Sequence, residues 1–111
     1  MLDIEHQEKG NVTVVYFFGK IETKTSPEVQ KYLDRLIDQG INNIVMSFEE
    51  LDFISSTGLR VILGTGKKLM GNNGKLTMCN ANITVKDVLR MSGFDKMFGV
   101  FETEEEALQS Y

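Results

Sequence analysis

Cysteine and histidine are almost absent from this chain of 111 residues, which has one of each. A lone cysteine, Cys79, cannot form an intramolecular disulfide, which is compatible with a reducing compartment. Metal sites need several ligands close together, and Cys79 has no Cys or His near it in the sequence. We therefore expect no metal site, with Cys79 in the core and His6 at the surface of a short edge strand.

Long apolar segments and a surplus of basic residues are also missing. The longest uninterrupted apolar run, Val14–Phe18, has five residues, whereas a membrane-spanning helix needs about 20. Asp3, Glu5 and Lys9 interrupt the N-terminal region, which therefore does not resemble a signal peptide. The net charge is −4, and nucleic-acid binding needs Lys and Arg clustered on one face. These features predict a cytoplasmic protein whose partners include neither nucleic acid nor membrane.

The chain does have the composition of an ordinary globular domain, with 41% hydrophobic and 25% charged residues. Its length suits a single domain over residues 1–111, with a core that needs no metal or disulfide. Segments rich in β-branched and aromatic residues predict strands. We place these strands at residues 2–8, 12–18, 44–48, 75–79 and 100–101.

Two long amphipathic helices are predicted between these strands. The first has Ser26 at its N-cap and Pro27 as its first residue, and it ends at Gly40. The second follows the hydroxyl-rich segment at residues 55–57 and stops at the turn of residues 71–74. Apolar spacing predicts that the second helix buries Leu59, Ile62, Leu63, Gly66 and Met70.

Two shorter helices complete the predicted fold. Thr84 and Asp87 resemble a capping pair at the start of one, and Thr103 with Glu106 forms a capping box for the other. The resulting order is β-β-α-β-α-β-α-β-α. Alternating strands and helices favour right-handed crossovers. The expected α/β fold is therefore a mostly parallel central sheet with an N-terminal β-hairpin and about four helices.

The segment Leu51–Gly64 carries the most specific information. Ser55, Ser56 and Thr57 stand in a row where a strand ends and a helix begins. The simplest interpretation is helix capping, in which a hydroxyl oxygen accepts a hydrogen bond from a free backbone N–H. A phosphate is also favoured at this place, because free N–H groups and the helix dipole attract negative charge.

This segment resembles the phosphorylation loop of anti-sigma-factor antagonists, the STAS-domain family. The family pattern is an aromatic and an apolar residue, then Asp-Ser-Ser/Thr-Gly-Leu and an apolar helix. The resemblance extends over essentially the whole chain. The matching segments are residues 53–59 with 61–64, 19–22 at the turn after the second strand, 91–94 at the end of the third helix, and 103–108 in the last helix.

The resemblance implies a phosphorylation switch in a protein that is not an enzyme and needs no cofactor. The family's phosphorylated serine lies two places before the glycine, which corresponds to Ser56. The family's preceding Asp is Ser55 here, so Ser55 and Thr57 remain alternative acceptors. By resemblance, the unphosphorylated protein binds an anti-sigma factor that is also a serine kinase, and so releases a sigma factor. Phosphorylation of Ser56 breaks that complex, and a separate serine phosphatase restores it.

Several residues around Ser56 are candidate partner contacts. The resemblance places the loop of Glu22 beside the Ser56 loop, and Arg60 follows Ser56 by one helical turn. Glycine is a poor helix former, so two glycines inside the second helix need a reason. Gly64 either permits close approach of a partner or has no specific role. Gly66 is expected to allow close packing of the helix on the sheet. The predicted contacts are Glu22, Ser55, Ser56, Thr57, Gly58, Arg60 and Gly64.

Two other functions remain open at this point. The first is a STAS-type scaffold in a partner-switching pathway without a sigma factor, which the replacement of Asp by Ser55 keeps open. The second is a domain that binds a small ligand or a nucleotide. It would need a pocket, and the segment at residues 61–68 lacks the first glycine and the final Ser or Thr of a P-loop.

Overall fold

A computed structural model describes every residue from Met1 to Tyr111, as five strands and five helices. The strands are β1 (Leu2–Lys9), β2 (Val12–Ile21), β3 (Asn43–Ile54), β4 (Lys75–Cys79) and β5 (Gly99–Phe101). The helices are α1 (Ser26–Asp38), α2 (Ser56–Gly71), α3 (Ile83–Met91), α4 (Phe94–Met97) and α5 (Glu104–Gln109). No helix is both long enough and apolar enough to span a bilayer.

The strands form one sheet in the order β1-β2-β3-β4-β5. β1 pairs antiparallel with β2, and every later pair is parallel. The predicted hairpin and mostly parallel sheet are therefore confirmed. The short helix α4 is additional: it follows Gly93, whose φ of +81° redirects the chain, and four residues are too few for a periodic signal.

Side chains alternate between two cores on opposite faces of the sheet. Val15 and Phe17 point into the larger core, which also contains residues of α1, α2, α3 and α4. Val14 and Tyr16 point into a smaller core that includes Ala107 of α5. Cys79 belongs to this smaller core, where burial raises the pKa of its thiol to about 11, so the thiol is protonated at neutral pH.

His6 lies at the surface, as expected. Its side chain is exposed, and its ring Nδ1 forms a hydrogen bond with the hydroxyl of Tyr32 on α1. The His6 ring packs edge-on against Tyr32, which is itself half-buried against the core.

Two helix starts differ from the prediction, although both are near it. The N-cap of α1 is Thr25, so Ser26 is the first helical residue, and its hydroxyl donates to the Glu22 carbonyl (2.7 Å). The N-cap of α3 is Asn82, whose side-chain oxygen accepts from the Val85 N–H (2.8 Å). Thr84 lies inside α3 and does not cap it. In each case another residue with a capping side chain lies within two positions of the predicted one.

The capping box of α5 is confirmed. The Thr103 hydroxyl accepts from the Glu106 N–H, and the Glu106 carboxylate accepts from the Thr103 N–H, both at 3.2 Å. The buried face of α2 is corrected in part. Its buried residues are Gly58, Ile62, Thr65, Gly66 and Leu69, whereas Met70 is 50% exposed.

Gly66 and Gly64 lie on the same helix in opposite surroundings. A Cβ on Gly66 would come within 2.4 Å of two ring carbons of buried Phe98, and 3.2 Å from Leu76. A Cβ on Gly64 would meet nothing within 4 Å. Gly66 is therefore required for close packing on the sheet, as predicted, whereas the fold itself does not require Gly64.

We predict opposite stability changes for the two alanine substitutions. Gly64→Ala should stabilise the protein by up to about 1 kcal/mol, because alanine is the better helix former. Gly66→Ala should destabilise it by about 1–3 kcal/mol, because the methyl group overpacks the site against Phe98. Urea unfolding of both variants measures the difference. Equal shifts in the same direction would contradict this account of the helix packing.

Candidate functional site

The hydroxyl-rich segment lies at the carboxyl edge of the parallel sheet. β2 and β3 end together, with Ile21 paired to Ile54, and the Ser55 N–H then donates to the Ile21 carbonyl (2.8 Å). The β2–α1 and β3–α2 loops consequently lie side by side, as the resemblance implied. The carboxyl edge is where open α/β sheets usually place their binding residues.

Ser55, Ser56 and Thr57 have different environments although they are consecutive. Ser55 is the half-buried N-cap of α2, and its hydroxyl accepts from the Gly58 N–H (3.0 Å). The half-buried Thr57 hydroxyl is 3.3 Å from the Thr23 hydroxyl in the neighbouring loop. Ser56 is exposed, and its hydroxyl makes no hydrogen bond. Of the three oxygens, only that of Ser56 is both accessible and unengaged.

Ser56 lies at a helix N-terminus whose own first turn has no acidic side chain. Ser56 is the first residue of the 16-residue helix α2, whose first turn has no Asp or Glu. Free N–H groups give this end a partial positive charge. Arg60 is exposed one turn later and takes part in none of the four ion pairs of the structure. The helix start itself therefore favours an added negative charge, which Glu22 and Asp52 of the neighbouring segments partly oppose.

Gly58 holds the start of α2 tightly against the sheet. A Cβ at this position would be 2.5 Å from Cγ2 of Ile21 and 3.1 Å from Cγ1 of Ile54. Gly58 is itself buried, so it packs beneath the loop and is not part of the exposed surface. Whether Gly58 also contacts a partner stays a prediction.

The backbone of Glu22 is fixed by residues that follow it in the β2–α1 loop. Its N–H donates to the Thr25 hydroxyl (2.8 Å), and its carbonyl accepts from the Ser26 hydroxyl. The Glu22 side chain is half-buried and forms no ion pair. The loop thus presents Glu22 from a defined backbone next to the Ser56 loop. Whether Glu22, Arg60 and Gly64 contact a partner stays a prediction.

Two further residues of this edge were not identified from the sequence. Phe53 is 41% exposed and lies beside Lys20 on the adjacent strand. Because Ile54 points into the core, the alternation of β3 was a signal that Phe53 points away from it. Thr23 was missed because its contact with Thr57 joins two loops, and no local pattern predicts such a contact.

One cavity of about 200 Å³ lies away from this edge, among residues of α3, α4, β5 and the chain just after β5. Two cations line it, and both already have carboxylate partners: Lys86 pairs with Glu102 at 2.8 Å, and Arg90 pairs with Asp87 at 2.7 Å. The cavity therefore offers no unpaired cation for the phosphates of a nucleotide.

Comparison with known proteins agrees with this architecture. Residues 3–107 match the family model described as the STAS domain. The chain is 33% identical, over 96% of its length and 92% of the relative's, to the anti-sigma F factor antagonist of Paenibacillus polymyxa. The crystal structure of an anti-sigma factor antagonist from Mycobacterium paratuberculosis superposes with a TM-score of 0.91 at 22% identity, over 99% of this chain and 93% of that one.

A second solved structure shares the same fold. The Bacillus cell fate determinant SpoIIAA in its phosphorylated form has a TM-score of 0.75 at 24% identity, over 97% of this chain and 98% of that one. At sequence identities below 25%, these two structures show a shared fold. Membership of the family is shown by the family model and by the relative from Paenibacillus. The chain belongs to the STAS domain family of anti-sigma factor antagonists.

Proposed function

We propose that the unphosphorylated protein binds an anti-sigma factor and thereby releases a sigma factor, and that phosphorylation of Ser56 ends this binding. The anti-sigma factor is also the serine kinase, and a separate serine phosphatase removes the phosphate. The protein is a substrate in this cycle and catalyses no step of it. It acts in the cytoplasm, without a nucleic acid or a cofactor.

The observation that supports this proposal most directly is the exposure of Ser56 between two engaged hydroxyls. A kinase must place the acceptor oxygen in line with the γ-phosphate of ATP, so it needs an accessible hydroxyl. Ser55 would have to give up its cap of α2, and Thr57 its contact with Thr23. The structure thus favours Ser56 over the two alternative acceptors.

A phosphate on Ser56 should leave the fold intact. It adds about −1.5 to −2 charges at neutral pH, at a helix end that stabilises negative charge by about 0.3–1 kcal/mol. The switch is therefore a change of surface and not an unfolding event. Removing water from a dianion when the partner docks costs several kcal/mol of binding free energy. Since each 1.4 kcal/mol changes the affinity tenfold, this cost is enough to end binding.

The docking surface in this proposal is the edge formed by the two adjacent loops and the start of α2. Its exposed side chains differ in chemistry: Phe53 is apolar, Arg60 is basic, and the half-exposed Glu22 is acidic. Gly64 lies further along α2, where the missing side chain leaves space on an incompletely buried face. Such a mixed surface around Ser56 suits a specific protein partner.

A partner-switching pathway without a sigma factor is the second candidate. Ser55 takes the place of the family's Asp and still caps α2 through its hydroxyl, so the fold keeps the cap while the loop lacks one negative charge. A kinase that recognises that carboxylate would not be the kinase of this protein. Identification of the bound partner separates the two candidates.

We predict that binding of the anti-sigma factor depends on charge at Ser56. Ser56→Glu should weaken the complex at least about tenfold, corresponding to 1.4 kcal/mol, whereas Ser56→Ala should bind within about threefold of the wild type. Wild-type and variant proteins serve as baits in lysate of the native cell. The bound proteins are identified by mass spectrometry, and the affinity of the purified pair is then measured by calorimetry.

Thr84→Glu is the matched control, because it places the same charge in the exposed first turn of another helix, α3. It should bind like the wild type. Equal binding by Ser56→Glu and Ser56→Ala would contradict the switch. Capture of a regulator that binds no sigma factor would favour the second candidate.

We also predict that Ser55 and Ser56 differ in their contributions to stability. Ser55→Ala removes the cap of α2 and should lower the free energy of unfolding by about 1 kcal/mol. Ser56→Ala alters an exposed hydroxyl without partners and should change it by less than about 0.5 kcal/mol. Urea denaturation measures both values. A loss for Ser56→Ala as large as that for Ser55→Ala would show that Ser56 is structural.

A further inference from the structure

Arg60 is an exposed cation near Ser56 that has no counterion in the structure. The four ion pairs use Lys9, Lys68, Lys86 and Arg90, and none includes Arg60. Its guanidinium makes no hydrogen bond to any other group of the chain, because the only arginine donor among the side-chain hydrogen bonds is Arg90. An arginine carries five N–H donors in a planar fork that fits phosphate oxygens.

The geometry of α2 directs Arg60 toward Ser56. The two residues are separated by four positions within one continuous helix, from Ser56 to Gly71. Residues four apart lie on the same helical face, with Cβ atoms about 5–6 Å apart. Helical side chains also tilt toward the N-terminus, so the long side chain of Arg60 extends back over the turn that begins with Ser56.

The remaining charges on these two strands are mixed in sign and net negative. The β2 strand and its loop contribute Lys20, Glu22 and Lys24, and the second half of β3 contributes Glu49, Glu50 and Asp52. None of these six residues takes part in an ion pair, so none is held against Arg60. On α2 itself, Ser55 caps the helix with a neutral hydroxyl, so no carboxylate of the cap competes for Arg60.

We propose that Arg60 is the intramolecular partner of the phosphate on Ser56. The guanidinium donates to the phosphate oxygens across one turn of α2, while the free N–H groups of the helix start face the same group. This inference rests on the proposed phosphorylation of Ser56 and adds its local consequence. Arg60 is exposed and unpaired in the unmodified protein and becomes engaged when the phosphate is present.

The switch then changes two features of the docking surface at once. The phosphate adds negative charge at Ser56, and the same event withdraws the positive charge of Arg60 from a partner. Arg60 is a positioning residue in this proposal, because it acts on the orientation and ionisation of the phosphate and takes no part in its transfer. An arginine that only contacts the partner would have no effect on the phosphate of the isolated protein.

The test uses the full chain with phosphoserine installed at position 56 during translation, so that no kinase is required. The second ionisation of the phosphoserine is followed by ³¹P NMR against pH, in the wild type, Arg60→Gln and Lys67→Gln. Lys67 is the matched control: it is exposed on α2 but lies about 16 Å from Ser56 along the helix axis.

We expect the phosphate pKa to be lower by about 0.3 in the wild type than in Arg60→Gln, since a nearby cation favours the dianion. Lys67→Gln should match the wild type. In the unsubstituted phosphoprotein, the Arg60 Nε–H signal should also shift relative to the unmodified protein, which reports the contact without any variant.

An equal phosphate pKa in the wild type and Arg60→Gln would overturn the proposal. An equal effect of Lys67→Gln would also overturn it, because the shift would then reflect the general field of the helix. These results are independent of the proposed function. If no kinase modifies Ser56, the titration still reads the Arg60–phosphate contact, and if the contact is absent, the partner switch can still operate.

Discussion

The common end of β2 and β3 is the constraint on which the rest of the site depends. Parallel pairing of Ile21 with Ile54, followed by the hydrogen bond from Ser55 to Ile21, brings two loops to one edge of the sheet. Gly58 then allows the first turn of α2 to lie directly on these two isoleucines. The position of Ser56 at the surface follows from this packing, because Gly58, two residues later, occupies the side of the turn that faces the sheet.

This arrangement gives three neighbouring hydroxyls three different tasks. The Ser55 hydroxyl stabilises the helix start, and the Thr57 hydroxyl joins the two loops. The Ser56 hydroxyl makes no hydrogen bond, so a modification at this residue removes none from the fold. A switch of this kind can change charge at a binding surface while the fold stays the same. Ser55 fits this division, because its neutral hydroxyl caps α2 without adding a carboxylate to the helix start.

Much of the fold follows from local sequence signals, and the errors have local physical causes. At α1, Thr25 and Ser26 are adjacent candidates, and the N-cap Thr25 makes no side-chain hydrogen bond to the helix. At α3, Asn82 lies two residues before Thr84, and the sequence alone does not show which side-chain oxygen meets the Val85 N–H. Leu69 and Met70 are neighbours on α2, and only packing against the sheet decides that Leu69 is buried. Helix α4 has four residues and therefore no periodic pattern.

The candidate site was predictable as a location and less so in its detail. The resemblance to the STAS family implied that the Glu22 and Ser56 loops meet, and its motif singled out Ser56 within its loop. The sequence does not reveal that Gly58 is buried or that Thr23 contacts Thr57, because both depend on the distance between two loops. The surroundings of Arg60 likewise required the structure, since a charged residue is recognised as unpaired only when every possible partner is placed.

The most direct test of the account is the location of the phosphate after reaction with the kinase. The unmodified protein and its Ser56→Ala variant are incubated with ATP and the purified anti-sigma factor that the protein captures, and tandem mass spectrometry assigns the modified residue. The account predicts one phosphate, on Ser56, and none in the variant, although Ser55 and Thr57 remain available in it. Phosphate on Ser55 or Thr57, or undiminished phosphorylation of Ser56→Ala, would contradict the claim that the geometry of this loop selects Ser56.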